Sequence, residues 1–358
     1  MEIKENPRAF QGEFKPMVAQ LQNRLVTVFG GSGFVGRHIV RRLAAQGAQV
    51  RIAVRDPEDA LYLRTCGEVG QVVAMPADVT DPASVRSALE GADMAVNLVG
   101  ILSPWGKRTF EKVHLEGARN VATAAAAVGI QSLVHMSAIA DEATGSEYAR
   151  TKVAAEKAVR EAFPAAVILK PSVIFGPEDD FFNRFATLAR FTPLLPVLGC
   201  PFPPKINLGA LTGDEAPLVD LFGDGGTHMQ PVYVGDVADA AIKGLTDSAT
   251  RGNTYELGGP RRYSYKELME LVITHTGRDR WLMPMHSLFM GMAAWFMEFL
   301  PKPMVTRDQL KLLGHDNVVS MGAKTLADLG IEPTAAEGVL PGYLSRYKHP
   351  LHQRLRES

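Results

Sequence analysis

The sequence predicts an α/β protein with a doubly wound parallel sheet and a smaller C-terminal lobe. Two observations carry this prediction. In the first half of the 358-residue chain, short apolar runs typical of buried strands alternate with longer segments of helical periodicity. Near the start of that alternation, a glycine-rich turn separates the first strand from the first helix. Because parallel strands are joined by right-handed crossovers, the pattern gives one sheet with helices on both faces.

Each element follows from its local pattern. The expected strands of the first half are Leu25–Phe29, Val50–Val54, Val72–Met75, Met94–Val99, Ser132–Met136 and Ala166–Lys170. The expected helices between them are Arg37–Gln46, Pro82–Leu89, Phe110–Val128 and Glu147–Ala162. Beyond Gly176 the pattern loosens, and the elements expected there are a helix Phe181–Arg190, a strand Pro231–Val234, a helix Val237–Leu245, a strand Asn253–Leu257 and a helix beginning at Ser264. The prolines between 193 and 204 predict a long irregular loop.

These elements suggest four regions. Residues 1–23 form an irregular N-terminal arm, and 24–176 form the nucleotide-binding core. Residues 177–345 form a smaller lobe interleaved with that core, including an apolar helix over 286–300. Residues 346–358 are a basic tail.

The composition of the chain argues against several classes of function. The formal net charge is −1, so nothing global points to a nucleic acid partner. The two cysteines, Cys66 and Cys200, have neither metal-site spacing nor a disulfide framework, and no metal is expected. The first residues lack an apolar signal core and an Arg/Ser-rich amphipathic presequence, which predicts a protein on the cytoplasmic side unless a presequence was removed.

The glycine-rich turn is the most informative motif. Gly30 can make the tight turn, Gly33 lets the backbone approach a pyrophosphate, and Gly36 allows close packing of helix on strand. The helix N-terminus then faces the negative charge. The turn predicts a dinucleotide site that includes Gly30, Ser32, Gly33, Phe34, Val35, Gly36 and Arg37.

The end of the second strand indicates which dinucleotide binds. An acidic residue there would hold the ribose hydroxyl of NAD, whereas an arginine accommodates the 2′-phosphate of NADP. This strand ends Val54-Arg55, and Arg37 opens the preceding helix, so the sequence favours NADP(H) over NAD(H). Asp56 keeps NAD(H) open, because a shift of one residue would place its carboxylate on the ribose. Asp78 and Val79, after the third strand, are expected to meet the adenine.

A second constellation has the chemistry of hydride transfer to a carbonyl. Ser137 follows the fifth strand, and Tyr148 and Lys152 lie one turn apart on the next helix. A lysine ammonium beside a phenol is expected to lower its pKa, so that Tyr148 could exchange a proton with a carbonyl or alcohol. Ser137 could hold the substrate oxygen. The alternative interpretation is an ordinary surface pair.

Together these motifs resemble those of extended short-chain dehydrogenases/reductases, from about Leu25 to Gly259. The resemblance includes Asn97-Leu98-Val99-Gly100 and Lys170-Pro171-Ser-Val-Ile-Phe175-Gly176. It implies a Rossmann-type core and catalytic positions for Ser137, Tyr148 and Lys152. It also implies cofactor contacts from Tyr148 and Lys152 and from Leu98, Val99, Gly100, Pro171, Ser172, Val173 and Ile174. Family members usually carry asparagine where this chain has His114, which is either its replacement or a helix histidine satisfied by its neighbours.

Several segments are more similar to the short-chain-dehydrogenase-like accessory subunit of respiratory complex I. They are Tyr148 to Pro164, Lys170 to Phe185 and Gln230 to Asp236. This resemblance implies tightly held NADPH without turnover, partners in the peripheral arm at the membrane junction, and a peripheral position on the cytoplasmic face of a bacterial inner membrane or the mitochondrial matrix side. The Tyr/Lys pair is not reliably kept in that family. The alternatives are a soluble NADP-dependent reductase, epimerase or dehydratase and, last, a nucleotide sensor.

The segment Trp281 to Leu300 is nearly apolar all round and rich in methionine. Its uninterrupted part is shorter than the ~20 residues that a bilayer crossing needs, and it contains Glu298. A buried core helix, an interfacial helix and a partner-binding face remain open. Basic residues on both sides suit anionic lipid headgroups, so 281–307 is a candidate lipid contact; they are Arg278, Arg280, Lys302 and Arg307.

Overall fold

The computed structural model describes residues 21–201, 205–206, 219–286 and 307–348. Its centre is a seven-stranded sheet in the order β3-β2-β1-β4-β5-β6-β13, with every pair parallel. The strands are β1 Leu25–Phe29, β2 Gln49–Val54, β3 Val72–Pro76, β4 Met94–Asn97, β5 Ser132–Met136, β6 Val167–Pro171 and β13 Thr254–Leu257. The predicted doubly wound sheet is confirmed. Strand order reverses between β1 and β4, where ligands of such sheets bind.

Helices cover both faces of this sheet. The helices of the core are α1 Phe34–Ala45, α2 Pro82–Leu89, α3 Gly117–Val128, α4 Glu147–Ala162 and α6 Val234–Thr246. On one face, Ile39 and Leu43 of α1 are buried with Val237 and Leu245 of α6. On the other face α2, α3 and α4 are buried together. Helices α1 to α4 each bury one apolar stripe, as the 3.6-residue period requires, whereas α6 is buried over most of its surface.

A smaller lobe has its own apolar cluster. Its helices are α5 Phe181–Phe191, α7 Tyr265–Thr276, α8 Arg307–Leu313 and α9 Ala336–Leu344. Its short strands are β7 Ile174–Phe175, β8 Leu194–Cys200, β9 Lys205–Ile206, β10 Val219–Asp220, β11 His228–Met229, β12 Val232–Tyr233, β14 Tyr263–Ser264 and β15 Trp281–His286. Strand β12 pairs with β7 and so ties this lobe to the end of β6.

Several boundaries differ from the expectations. Strand β4 ends at Asn97, which leaves 98–100 as loop, and the helix expected from Phe110 begins with a π-helical segment, Glu111–Glu116. The loop predicted from the prolines after 193 is wrong for β8, which pairs in parallel with β15. A two-stranded ladder tolerates Pro196 and Pro284, because each strand has one unpaired edge.

Some predicted regions lie outside the described residues. These are residues 1–20 of the arm, 287–300 of the expected apolar helix and 349–358 of the tail; His286 ends β15. Within the described parts of the chain, no helix combines the length and the apolarity that a membrane crossing requires.

Candidate functional site

The glycine turn lies at the carboxyl end of β1, beside the point where strand order reverses. Gly30 has φ +76°, a conformation that favours glycine, and Gly33 N–H donates to Gly30 O over 3.1 Å. A methyl group on Gly36 would lie 2.5 Å from Gly30 O, so only glycine lets α1 start this close to the turn. No side chain caps α1, and its first turn carries no acidic residue. The amides at this end therefore suit an anion such as a pyrophosphate.

Two further loops converge on this turn. A Cβ on Gly30 would lie 3.4 Å from Val99 Cγ2 and 3.6 Å from the carbonyl carbon of Leu98. The Val99 N–H donates to Asn97 Oδ1 over 3.1 Å, which fixes the loop after β4. From the other side, a Cβ on Gly176 would lie 3.3 Å from the Phe34 ring. The structure thus brings the expected contacts Gly30 to Gly36 and Leu98 to Gly100 to one crevice.

Two basic groups, Arg55 and Arg108, lie near the ends of β2 and β3, and sequence reasoning missed the second. Arg55 is exposed at the end of β2, where the Ala77 N–H donates to Val54 O over 2.7 Å. Arg108, from the loop after β4, approaches Asp78 with 3.7 Å between Nη1 and Oδ2. Burial and the charge of Arg55 lower the pKa of Arg108. No motif in the sequence places Arg108 beside Asp78, because the loop that carries it is irregular.

Arg37 is held over the turn by two further residues. Its guanidinium carbon lies 5.4 Å from the centroid of the Tyr62 ring, and the Tyr62 hydroxyl donates to Ser32 O over 2.9 Å. On its other side Glu178 Oε1 lies 3.8 Å from Arg37 Nη1, and Glu178 Oε2 lies 3.1 Å from His38 Nε2. Tyr62 and Glu178 were not among the predicted site residues. A bound phosphate would compete with Glu178 for Arg37.

Val79 and the segment Pro171 to Ile174 were also predicted to contact the cofactor, and each is fixed by hydrogen bonds to a neighbouring element. Asn120 of α3 donates to Val79 O over 3.0 Å. Ile139 N–H donates to Pro171 O over 3.0 Å, and Val173 O accepts from Val232 N–H over 2.9 Å. The buried Ser172 hydroxyl donates to Asn317 Oδ1 over 2.6 Å. Ser172 is therefore engaged with the small lobe.

Tyr148 and Lys152 lie together at the start of α4. Lys152 Nζ is 5.9 Å from the centroid of the Tyr148 ring and donates to Met136 O over 3.3 Å. A Cβ on Gly100 would lie 3.3 Å from that Nζ, so the pair borders the loop after β4. Of the three predicted catalytic residues, Tyr148 and Lys152 therefore lie close together.

The expected lowering of the Tyr148 pKa by Lys152 is not found. Burial raises the pKa of Tyr148 to about 12, and burial lowers the pKa of Lys152 from 10.5 to about 8. Both shifts disfavour the charged form, as removal from water does. The ammonium stands over the face of the ring, and desolvation outweighs its effect on the phenol.

Ser137 is directed elsewhere. Its hydroxyl donates to Glu156 Oε1 over 2.5 Å, and Glu156 Oε2 lies 3.6 Å from Lys170 Nζ. In the part of the chain that the structure describes, Ser137 makes no hydrogen bond to Tyr148 or Lys152. In this structure the Ser137 hydroxyl is directed at the Glu156 carboxylate, and its contact with a substrate oxygen stays a prediction.

His114 lies in the π-helical segment and links two parts of the site. Its Nδ1 is 3.1 Å from Thr151 Oγ1, which itself donates to Glu147 O. Its Nε2 lies 3.0 Å from Ile101 N and 3.1 Å from Ile101 O, so the ring contacts the loop after β4 through this nitrogen. Burial, then the charge of Lys152, lowers the pKa of His114 to about 3, so the ring stays neutral. His114 joins the loop after β4 to α4, a structural role.

Comparison with known proteins gives the family. Residues 30–179 match the NAD(P)H-binding family model. The 40 kDa subunit of mitochondrial NADH-ubiquinone oxidoreductase from Neurospora crassa is 30% identical over 92% of this chain and 81% of its own length. The mouse mitochondrial NADH dehydrogenase (ubiquinone) 1 alpha subcomplex subunit 9 is 31% identical over 87% of this chain and 78% of its own length. The chain belongs to the family of these subunits. The predicted recognition is confirmed.

Solved structures agree on the fold of this member of the subunit family. A Staphylococcus aureus nucleoside-diphosphate-sugar epimerase matches with TM-score 0.65 over 88% of this chain and 99% of its own, at 16% identity. The Escherichia coli NADPH-dependent quinone oxidoreductase in complex with NADPH matches with a TM-score of 0.63. The match covers 90% of this chain and 99% of the oxidoreductase chain, at 18% identity. The uncapped start of α1 and the close approach at Gly36 fit an NAD(P)H pyrophosphate.

Lys152 should give the subunit a distinctive pH dependence of stability. Between the folded pKa of about 8 and the unfolded value of 10.5, the unfolded chain binds more protons, so this group's contribution to stability rises with pH. We expect Lys152→Met to remove a rise of about 3 kcal/mol in the free energy of unfolding across that window. Urea unfolding at several pH values measures it.

The control is Lys157→Met, whose side chain is 66% exposed. Its stability difference from wild type should not vary with pH. Parallel pH profiles for Lys152→Met and wild type would contradict the assignment of Lys152 as a buried, destabilised ammonium.

Proposed function

We propose that this chain is an NADP(H)-binding accessory subunit of respiratory complex I, which holds its nucleotide without turning it over. The observation that carries the proposal is the end-to-end match: relatives named as complex I subunits in a fungus, an animal and a plant align with 87–92% of the chain. Such coverage takes in the small lobe as well as the nucleotide-binding core. The core alone would be shared with many dehydrogenases.

The crevice supports binding more strongly than turnover. The first amides of α1 and the glycine turn would take the pyrophosphate, and the loop after β4 would close on it. When bound, the dinucleotide supplies a hydride donor or acceptor. The residues expected to move a proton are poorly prepared, because the pKa of Tyr148 is raised to about 12 and Ser137 is bound to Glu156. A ligand that binds only the native state also stabilises the fold by mass action.

The charges at the adenosine end favour NADP(H) over NAD(H). Arg108 lies 3.7 Å from Asp78, the charge of Arg55 acts on Arg108, and Arg37 stands beside the glycine turn. We expect these three to face the ribose, where a guanidinium matches phosphate geometry. Asp56, which kept NAD(H) open, accepts from Glu58 N–H over 3.0 Å and caps the 3-10 helix Pro57–Cys66. One oxygen of its carboxylate, Oδ1, is thus already engaged by the helix that it caps.

The nucleotide preference can be measured on the purified full chain. We expect NADPH to bind more tightly than NADH, and Arg55→Gln to weaken NADPH about 10- to 100-fold while leaving NADH unchanged, since one charged hydrogen bond is lost. Titration calorimetry measures both. Arg24→Gln is the matched control, because Arg24 pairs with Asp93 at the opposite end of the strands. Equal affinities of wild type for both nucleotides would refute the preference.

A soluble reductase remains the second candidate function, and the Tyr148–Lys152 pair favours it. A ceramide reductase from Caulobacter vibrioides is 35% identical over 175 residues, 49% of this chain. In that case Tyr148 would donate a proton to a carbonyl oxygen while NADPH reduces its carbon to an alcohol. The accessory role ranks first, because the match to the complex I subunits is the longer one.

One experiment separates the two functions. We expect the native protein, extracted gently in detergent, to migrate with flavin- and iron–sulfur-containing subunits. Tyr148→Phe should leave that assembly unchanged, because an accessory subunit needs no proton donor there. Native gels with subunit mass spectrometry measure it. Migration as a small soluble oligomer, together with an NADPH-dependent activity that Tyr148→Phe abolishes, would establish the reductase.

Within the accessory role we place the lobe around β15 against anionic lipid headgroups where the peripheral arm meets the membrane. Trp281 is 78% exposed and Phe191 is 77% exposed, and Trp281 N–H donates to Pro193 O, close to Phe191 in the chain. Burial and the charges of Arg280 and Arg190 lower the pKa of Arg278, so three guanidiniums gather here. Exposed aromatic rings beside basic groups suit a membrane interface. The position is peripheral, on the cytoplasmic face in a bacterium or the matrix side in a mitochondrion.

Vesicle binding tests this surface. We expect the full chain to bind vesicles that contain anionic lipid, less so at high salt because charge attraction is screened, and Trp281→Ser to weaken binding about fivefold or more. Trp105→Ser is the matched control, since Trp105 is 74% exposed on the loop after β4. Co-sedimentation measures binding. Equal losses for both variants, or binding that ignores anionic lipid, would remove the lipid contact from the proposal.

A further inference from the structure

Helix α8 packs against the N-terminus of α4, the helix that carries Tyr148 and Lys152. It is the first described element after β15, and it is anchored at the N-terminus of α4. That N-terminus stands at the carboxyl edge of the sheet, where a second substrate would have to approach the dinucleotide. The contacts of α8 therefore bear on access to the site.

Asp308 binds the first turn of α4 with both carboxylate oxygens. Glu147 N–H donates to Oδ1 over 2.7 Å, and Tyr148 N–H donates to Oδ2 over 3.1 Å. The Ser146 hydroxyl donates to the same Oδ2 over 2.8 Å. A carboxylate at a helix N-terminus is favourable, because it pairs with free amides and with the positive end of the helix dipole. One carboxylate thus ties α8 to the backbone of Tyr148.

The next residues of α8 bridge the two loops that border the pair. Gln309 Nε2 donates to Leu102 O over 3.2 Å, in the loop after β4. Lys311 Nζ donates to Gly145 O over 2.9 Å, in the loop before α4. Because these loops belong to neighbouring strands, α8 spans the opening between them.

The chain that follows α8 continues the closure. Asn317 Nδ2 donates to Ile139 O over 2.7 Å, after β5, and its Oδ1 accepts from the Ser172 hydroxyl, after β6. Its own N–H donates to His228 O over 2.8 Å. Residues 307–317 therefore cross the ends of β4, β5 and β6 in turn.

We propose that α8 is a latch, held by Asp308, that closes the approach to Tyr148 and Lys152 from the substrate side. With the latch closed, the dinucleotide side of the crevice stays formed while a second reactant is kept out. The proposal deepens the proposed function. It rests on that function only for the presence of a bound nucleotide, because the closure itself follows from contacts within this chain. Release of Asp308 opens the pair without dissolving α4, because Ser146 Oγ also accepts from Ala149 N–H over 3.4 Å and still caps the helix.

Lys152 supplies a direct readout of access. Its side chain is 6% exposed, and burial lowers its pKa to about 8, so the neutral, reactive amine is populated near that pH. A small amine-acylating reagent at about pH 8 will modify Lys152 only as fast as the site opens. Peptide mass spectrometry reports the rate at this residue. Lys157, 66% exposed, gives the reference rate in the same sample.

We expect Asp308→Ala to raise the rate of Lys152 acylation at least fivefold with the Lys157 rate unchanged. Asp328→Ala is the matched control, because Asp328 also accepts from a backbone amide, Thr325 N–H, but away from α4. Lys311→Met, which keeps the cap, should give a smaller rise and guards against misfolding of Asp308→Ala. An unchanged Lys152 rate in Asp308→Ala and Lys311→Met would overturn the latch, as would an equal rise in Asp328→Ala.

Repeating the acylation experiment in the presence of NADPH tests the latch separately from the proposed nucleotide binding. NADPH should protect Lys152 in Asp308→Ala, since the opened pair faces the bound dinucleotide. Faster acylation without NADPH protection would uphold the latch and count against nucleotide binding at this crevice. If Lys152 is acylated at the same rate in wild type and Asp308→Ala without NADPH, and NADPH slows acylation in both, nucleotide binding is upheld and the latch is overturned.

Discussion

The close approach of α1 to the end of β1 is the constraint on which the rest of the site depends. A methyl group at Gly36 would meet the Gly30 carbonyl oxygen at 2.5 Å and Gly31 Cα at 2.6 Å, so backbone lies directly on backbone. That contact aims the uncapped amides of α1 into the crevice, brings Phe34 against Gly176, and seats Gly30 against the loop after β4. Since backbone cannot give way as a side chain can, the three loops have one mutual arrangement.

Close to this turn the protein buries the Lys152 ammonium, which lowers the stability of the fold. Lys152 is buried with only a carbonyl oxygen, Met136 O, as hydrogen-bond partner among the described residues, although Glu156 attracts it electrostatically. His114 and Tyr148 pack against each other beside it, and His114 is held neutral. Burying an ammonium with so little compensation destabilises a fold. The proposed binding of a dinucleotide beside Lys152 would account for this cost, whether or not a reaction follows.

How much the sequence could predict depends on the range of each interaction. The glycine turn, the alternation of strands and helices and the Tyr148–Lys152 pair follow from local spacing, and the structure has them. The partner of Ser137 is Glu156, 19 positions away, which no pattern indicates. Asp308 meets α4 from 160 positions away. Strand β8 was missed because its prolines predict a loop, whereas a two-stranded ladder leaves each strand one free edge. Strand β15 was missed because its residues open an apolar segment for which no strand was considered.

The same contacts bear differently on the proposed binding of a dinucleotide and on its turnover. Retention needs the amides of α1, the arginines at the adenosine end and a closed wall, all of which are set by the core or by Asn317. Turnover needs a proton donor of suitable pKa, a group to hold the reacting oxygen and a way in. Tyr148 is shifted away from neutrality, Ser137 serves Glu156, and α8 bridges the entrance. None of these three contacts alters the glycine turn, so they bear on the proposed lack of turnover and leave the proposed nucleotide site as it is.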